Sequence, residues 1–297
     1  MFGLEPGLVY AVAASLILGV YLFCVKRYFD EYPSTVYITV TFAASLLWYL
    51  PIAAVASDGE LLPAGFGAPG IGMLALTVGG SIVAFLASFR AIATGDVSYV
   101  APISKIVAVF VLPIEVVFLN ERLSAVQIAG VLVATAAVYV ANYEPGKLVD
   151  PFVRAVRSRP AQLALTSAAV FGVVDVGKRV LTQELRVPPE TFNLVMFAVV
   201  PLALAPLAAR RWPEPDDGGV RSDLHLFAGA GLLLAVAEHF VMIAFSTLSA
   251  SLASPVVNTQ AVVAVLLGGV VLGEENLRVR LTAAAFAIAG VTMITVG

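Results

Sequence analysis

Long apolar stretches alternate with short polar breaks along the whole chain. A membrane-spanning helix needs about 20 mostly apolar residues, because each residue adds ~1.5 Å across a hydrocarbon core about 30 Å thick. Measured this way, the pattern predicts ten spanning helices. Their approximate bounds are 7–25, 35–56, 69–93, 97–119, 124–142, 161–181, 189–210, 223–246, 250–272 and 278–296.

The breaks between these stretches carry turn-forming or charged residues, as in the Asp-Glu-Tyr-Pro segment at 30–33. Only one connection is long, at 143–160, close to the midpoint of the chain. Strands of a membrane barrel would alternate apolar and polar residues over about ten positions, whereas 261–272 is continuously apolar. The pattern therefore favours an all-α integral membrane protein.

Composition supports a membrane environment. Of 297 residues, 60% are hydrophobic and 12% are charged, against roughly 45–50% and about 25% in soluble domains. A net charge of -3 without a basic stripe argues against nucleic-acid binding. No Lys or Arg precedes the first apolar stretch, so we expect a retained span rather than a signal peptide. The lone Cys24 excludes an intramolecular disulfide and a Cys-ligated metal site.

The second half of the chain repeats the first at a shift of 153 residues. Comparison of 91–121 with 244–274 finds nine identities in 31 positions, and the proline-to-glutamate spacing is ungapped in both copies. The most informative identical pairs are Pro102 with Pro255, Glu121 with Glu274 and, outside this window, Gly19 with Gly172. We therefore predict two domains, 1–150 and 151–297, with five helices each.

Five is an odd number, so the second copy enters the membrane from the side opposite to the first. The fold class predicted is ten transmembrane helices in two inverted five-helix repeats. Inverted repeats are typical of secondary transporters, whose substrate site lies near the midplane between the repeats.

Each copy also carries a recognisable motif around its fourth and fifth helices. The first copy has Pro102, the segment Leu119-Asn120-Glu121-Arg122-Leu123, Gln127 and Gly130; the second has Pro255, the segment Leu272-Gly273-Glu274-Glu275 and Gly290. With these motifs the chain resembles the EamA-type transporters of the drug/metabolite transporter superfamily. It departs from their pattern at Asn120, where glycine is usual, and in lacking a second-copy counterpart of Gln127.

The resemblance covers nearly the whole chain. It implies a ten-helix transporter of small organic solutes such as metabolites, amino acids or drugs, and it does not indicate which solute.

The repeated prolines predict polar helix faces. A proline inside a helix leaves the carbonyl four residues earlier without its partner, which a membrane tolerates beside protein or a water-filled cavity. Pro102 and Pro255 each precede a polar side chain by three residues, Lys105 and Asn258 respectively. On one interpretation these polar faces meet across a cavity. On the alternative interpretation the prolines only kink the helices for packing.

Charges inside spans are costly, about 2.5–3.5 kcal/mol each on insertion scales, and so indicate function. Glu238 and His239 are the candidates for proton coupling, since both titrate. The alternative role for these two residues is structural, in a hydrogen bond or in an ion pair, for example with Lys105. Asp175 has Lys178 and Arg179 within one turn and is expected to be neutralised there unless it serves transport.

The residues predicted along the substrate pathway combine these charges with nearby polar and aromatic side chains. They are Lys105, Glu115, Asp175, Glu238, His239, Asn258, Gln260, Tyr21 and Tyr99, with Pro102 and Pro255 as helix-kink positions. Glu121 and Glu274 are instead interpreted as first-turn carboxylates that favour the positive end of the following helix.

Basic residues distribute unequally between the two sides of the predicted topology. One side collects eleven, in the loops around 26–27, 147–159, 210–221 and 278–280, and the other at most four. The positive-inside rule then places the basic loops in the cytoplasm and both termini outside the cell membrane.

The function predicted is secondary active transport of small organic solutes, with export by alternating access around a central cavity. A membrane channel and a non-transporting scaffold are the alternatives. An enzyme is not expected, because the sequence has no His-x-x-x-His, Gly-x-Ser-x-Gly or Walker motif. The expected partners are a small-molecule substrate and the bilayer. No cofactor or metal is expected beyond a coupling proton. The protein is expected to be a monomer or a homodimer.

Overall fold

The computed structural model describes residues 5–57, 59, 61–63, 65–94, 103, 106–141, 158–213, 219–271 and 277–297. Within these ranges the chain forms helices and connecting turns, and no strand. The helices are α1 (Pro6–Tyr28), α2 (Ser34–Ala56), α3 (Ala68–Thr94), α4 (Val107–Phe118), α5 (Ala125–Ala141), α6 (Arg159–Arg179), α7 (Pro189–Ala209), α8 (Leu224–Thr247), α9 (Ala250–Asn258), α10 (Gln260–Val271) and α11 (Leu277–Val296). A π-helical turn at Val180–Glu184 continues α6, and a single turn at Gly219–Ser222 precedes α8.

Seven helical segments in the described ranges are long and apolar enough to cross a membrane. They are α1, α2, α3, α6 with its π-helical turn, α7, α8 and the combined α9–α10 segment. Apolar helices of 10–17 residues lie within α4, α5 and α11. The prediction of an all-helical, multi-pass membrane protein is confirmed, while the number of ten spans stays a prediction.

Local sequence explains where several helices begin. Before α5, Ser124 and Gln127 form a reciprocal capping box: the Ser124 N–H donates to Gln127 Oε1 (2.9 Å), and the Gln127 N–H donates to Ser124 Oγ (3.0 Å). Ser158 caps α6 by accepting the Ala161 N–H at 3.3 Å. The family-motif residue Gln127 therefore ends the turn after α4 and starts the next helix.

The contacts between helices follow the repeat: when each helix is replaced by its equivalent in the other half, one contact becomes another. α1 packs on α8, and the equivalent α6 packs on α3. α1 also packs on α10, as α6 does on α4. Of the remaining large contacts, α2 with α7 and α5 with α11 join equivalent helices, whereas α2 packs much more extensively on α8 than its counterpart α7 packs on α3. Apart from this last difference, the contacts follow the pattern that a two-fold relation between the repeats requires.

Two glycines show the same relation at the level of atoms. A Cβ added to Gly19 of α1 would lie 2.4 Å from Val263 Cβ on α10, and one added to Gly172 of α6 would lie 2.7 Å from Phe110 Cβ on α4. Both glycines and both facing residues are separated by the 153-residue shift. The two matched glycines therefore permit the same close helix crossing twice.

The ninth span, predicted as continuous over 250–272, is broken at Thr259, between α9 and α10. Pro255 lies inside α9, four residues before the break. In the first repeat, α4 begins only at Val107 and has the bounds of α10 shifted by 153 residues. Corresponding hydrogen bonds mark both breaks: Ile106 N–H to Ile103 O (3.3 Å) and Val109 N–H to Ile106 O (3.0 Å), against Thr259 N–H to Val256 O (3.1 Å) and Val262 N–H to Thr259 O (2.9 Å).

Hydrogen bonds between loops identify the two ends of the bundle. At one end, the Tyr32 hydroxyl after α1 donates to Asp223 Oδ2 before α8 (2.6 Å). At the other end, Gln183 Nε2 donates to Leu248 O after α8 (2.7 Å). The loops around 29–33 and 210–223 therefore share one end, as the predicted topology requires.

Candidate functional site: a central cavity between the repeats

A cavity of about 330 Å³ lies in the centre of the bundle, where α1, α2, α3, α6 and α8 surround the break between α9 and α10. Five of the predicted substrate-pathway residues line it: Tyr21, Asp175, Glu238, Asn258 and Gln260. The structure thus brings together residues separated by more than 200 positions in sequence.

The cavity wall is itself built from equivalent positions of the two halves. Eight pairs of lining residues are related by the 153-residue shift: Leu18 and Phe171, Tyr21 and Val174, Leu22 and Asp175, Val25 and Lys178, Ser81 and Leu234, Phe85 and Glu238, Ser88 and Val241, and Val107 and Gln260. The same helix faces of both repeats therefore enclose the cavity.

The two walls differ in chemistry although they match in position. The second half supplies Asp175, Lys178 and Glu238, and their equivalents in the first half are leucine, valine and phenylalanine. Among the described lining residues, every charged side chain comes from the second half. The described charge of the cavity therefore comes from the second half, while the first half contributes what we call the aromatic wall, the rings of Tyr21, Tyr37, Phe42, Phe85 and Phe89.

Asp175 is not paired within its own helix, contrary to the sequence-based expectation. Its Oδ2 accepts the Ser254 hydroxyl of α9 at 2.5 Å. Within the described part of the chain, neither Lys178 nor Arg179 forms an ion pair with Asp175, because each is engaged with glutamates on other segments. Asp175 therefore keeps its carboxylate at the cavity wall with one hydroxyl donor.

Lys178 instead faces Glu238, with 3.6 Å between Nζ and Oε2. The ammonium also lies 5.6 Å from the centre of the Phe245 ring and 5.9 Å from that of Phe192. Glu238 Oε2 is buried and receives no hydrogen bond from the described residues. Sequence reasoning treated Lys178 only as a neutralising partner, although its place one turn after Asp175 put it on the same helix face.

Tyr21 and Tyr37 of the first half form a hydroxyl pair at the cavity. The Tyr37 hydroxyl donates to the Tyr21 hydroxyl at 2.5 Å, and both rings line the cavity. Tyr37 was not predicted, because a tyrosine near the start of a span carries no distinguishing pattern in the sequence.

Glu115 does not line the cavity; it is fully buried at one end of the bundle. Its carboxylate accepts the backbone N–H groups of Ala250 and Ser251, each at 2.7 Å, and the Ser251 hydroxyl. These are donors of the first turn of α9, where a carboxylate also complements the helix dipole. The residue therefore ties α4 of the first repeat to the broken span of the second.

Arg179 gathers three glutamates around this contact. Its guanidinium lies 3.4 Å from Glu115, 3.3 Å from Glu121 and 3.3 Å from Glu184. The interpretation of Glu121 as a carboxylate for the helix that follows it is therefore corrected: its side chain pairs with Arg179 of the other repeat. This ionic cluster closes the end of the bundle that also holds the α8–α9 turn.

His239 also lies outside the cavity lining, although its neighbour Glu238 is part of it. The Tyr49 hydroxyl and His239 Nδ1 are 3.0 Å apart, and Asn193 Nδ2 donates to the same hydroxyl at 3.0 Å. With its oxygen accepting from Asn193, Tyr49 has its proton available for His239. The structure therefore places Glu238 and His239 in separate networks rather than in one coupling pair.

Four predicted positions lie outside the described residues. They are Tyr99, Pro102, Lys105 and Glu274.

Comparison with known proteins places this architecture in a family. The profile of the EamA-like transporter family matches residues 5–143 and, a second time, 159–296. No curated protein matches the sequence. Among solved structures 29 chains match, and one of them, described as "Crystal structure of protein", has a TM-score of 0.76 at 16% identity over 98% of this chain and 97% of its own length. That likeness shows a shared fold. Because the family profile covers nearly the whole chain in two repeats, the chain belongs to the EamA-like transporter family, whose members are membrane transporters of the drug/metabolite transporter superfamily.

Proposed function

We propose that this protein is a secondary active transporter that exports small organic solutes by alternating access around the central cavity. The observation that carries the proposal is the position of the cavity: it lies between the repeats, at two spans broken at equivalent residues. Discontinuous helices at the interface of inverted repeats are where secondary transporters bind their substrates.

The two-fold pattern of contacts supports alternating access. If each repeat can adopt the conformation of the other, the cavity opens to the opposite side without any change in its lining. The ionic cluster around Arg179 lies at the end of the bundle that holds the α8–α9 turn, so opening of the cavity at that end requires these contacts to separate.

Glu238 is the proposed proton-coupling group. Its buried Oε2 lacks a hydrogen bond in the described structure and faces Lys178 across the cavity wall. A carboxylate that holds a proton in one half of the cycle and releases it when the solute binds in the cavity couples the two movements in opposite directions. With protons entering the cell, such exchange moves the solute outward.

The test is flux through purified protein in liposomes under an imposed pH gradient. Amino acids, organic cations and neutral amphipaths are supplied one class at a time. We expect saturable flux of at least one class that the gradient accelerates. Glu238→Gln should lose the acceleration, whereas Asp30→Asn, which removes an exposed loop carboxylate, should retain it.

Other outcomes overturn separate parts of the proposal. Gradient-accelerated flux that is unchanged in Glu238→Gln removes the proton-coupling role. Single-channel currents without saturation indicate the channel alternative. Absence of flux for every class leaves the scaffold alternative in place of transport.

A further inference from the structure

The charges of the described cavity lining do not balance. Asp175 and Glu238 supply two carboxylates and Lys178 one ammonium, so the described lining carries a formal charge of -1. Lys178 forms an ion pair with Glu238 at 3.6 Å and also acts on Asp175 through space, so the two carboxylates share one ammonium. Among the described residues, the hydrogen-bond donor to Asp175 is the neutral Ser254 hydroxyl.

Two buried carboxylates that share one ammonium are costly in a membrane protein. A ligand that brings one positive charge to Asp175 removes that cost, because a charge-assisted hydrogen bond is stronger than one from a hydroxyl. A ligand with a negative charge would instead add to the excess. The charge of the described cavity therefore favours a monocation.

The aromatic wall of the cavity selects the rest of the ligand. It presents the rings of Tyr21, Tyr37, Phe42, Phe85 and Phe89 from the first half. Such a wall binds an apolar or aromatic body, and ring faces also attract cations.

The size of the cavity limits this body. Its volume of about 330 Å³ lies at the lower end of the ~300–1,000 Å³ typical of small-molecule pockets. A single ring with a short arm fits this volume better than a large polycyclic drug.

We propose that the transported solute is a small organic amine with one positive charge and an apolar body, bound with its ammonium at Asp175 and its body against the aromatic wall of the first repeat. This inference rests on the proposed function and adds the substrate class to it. It distinguishes an amine from a zwitterion, because Lys178 is already engaged with Glu238 and does not offer its ammonium to a ligand carboxylate.

Binding of matched probes to the full chain in lipid nanodiscs tests the ligand. The probes share a phenylethyl skeleton and differ in charge: 2-phenylethylamine, 2-phenylethanol, phenylalanine and 3-phenylpropionate. Methylamine serves as a cation without an apolar body. We expect calorimetry to show 2-phenylethylamine binding about tenfold or more tightly than each of the others, the scale of one charge-assisted contact.

Variants with opposite charge effects separate recognition from general damage. Asp175→Asn brings the described lining to zero charge and should weaken 2-phenylethylamine binding about tenfold or more. Lys178→Met brings it to -2 and should strengthen the same binding. The exposed-loop variant Asp30→Asn should match the parent protein. Tightest binding of phenylalanine, or equal affinities in Asp175→Asn and the parent, overturns the assignment.

Flux of radiolabelled 2-phenylethylamine in proteoliposomes distinguishes this inference from the proposed function. Binding with the expected charge pattern but without flux of any solute refutes transport and retains the ligand assignment. Saturable flux of another solute class, with no binding of the amine, refutes the ligand assignment and retains transport.

Discussion

Glu115 shows how one side chain joins the two halves of the protein. It lies 135 residues before Ala250, whose N–H it accepts, and it is fully buried. Four donors or charges surround its carboxylate: two backbone N–H groups, the Ser251 hydroxyl and Arg179. A buried charge is stable only with this degree of compensation, and removal of one member leaves the others without partners.

Glu115→Gln should therefore destabilise the fold by about 3 kcal/mol or more, since it leaves the buried Arg179 without its deepest carboxylate. The measurement is chemical unfolding of the detergent-solubilised protein followed by circular dichroism. Glu184→Gln is the matched control, because it pairs with the same guanidinium but its side chain is 56% exposed. The control should cost no more than about 1 kcal/mol. Equal losses in both variants would contradict the structural role given to Glu115.

At the scale of helices, close crossings depend on the absence of particular side chains. Gly19 and Gly172 face the second halves of the broken spans at equivalent places. Gly79 of α3 provides a contrast, because a Cβ added there meets nothing within 4 Å. Glycine is thus required at Gly19 of α1 and Gly172 of α6, and it is only tolerated at Gly79 of α3.

Gly19→Ala and Gly172→Ala should each lower stability by about 1–3 kcal/mol, the usual range for overpacking a well-filled contact. Gly79→Ala should instead be neutral or stabilising by up to about 1 kcal/mol, because alanine has the higher helix propensity. Thermal unfolding in detergent measures all three. A loss in Gly79→Ala as large as in Gly19→Ala would show that the crossing geometry is not the cause.

The end of α4 depends on a left-handed residue. Asn120 has a φ of 52°, and the following Glu121 N–H donates back to Glu115 O at 3.2 Å, which closes the helix end. Asparagine is one of the few residues other than glycine that adopt this conformation readily. The backbone geometry therefore explains why asparagine can stand at a position where the family usually has glycine.

Asn120→Gly should leave stability within about 0.5 kcal/mol, whereas Asn120→Val should lose about 1–2 kcal/mol because a β-branched side chain disfavours positive φ. Unfolding midpoints of the two variants provide the comparison. If both variants behave alike, the turn does not depend on this conformation.

At the scale of the whole molecule, the repeat determines which loops share a side of the membrane. The contact between Tyr32 and Asp223 joins two of the basic loops at one end of the bundle. From the positive-inside rule we predict that this end faces the cytoplasm.

Single cysteines introduced after Cys24→Ser replacement test this topology. Asp30→Cys and Arg211→Cys should resist a membrane-impermeant maleimide in intact cells and react after lysis. Arg186→Cys, in the turn before α7, should react in intact cells. Labelling of Asp30→Cys from outside would reverse the orientation, and labelling of Asp30→Cys and Arg211→Cys from different sides would contradict the structure itself.

Features that repeat along the chain were predictable from sequence alone. Apolar stretches of spanning length indicate the membrane and the helices, because the bilayer requires both apolar side chains and internally bonded backbone. The 153-residue shift also identified equivalent positions, such as Gly19 and Gly172, without knowledge of their contacts.

The partners of the buried charges were decided only by tertiary structure. Sequence spacing suggested that Asp175 pairs within its helix and that Glu238 acts with His239. Helix packing instead pairs Asp175 with Ser254 and Glu238 with Lys178, and it directs His239 to Tyr49. Spacing along one helix shows which side chains share a face, whereas the pairing of charges depends on which faces of other helices cross there, and that is settled only when the two repeats pack together.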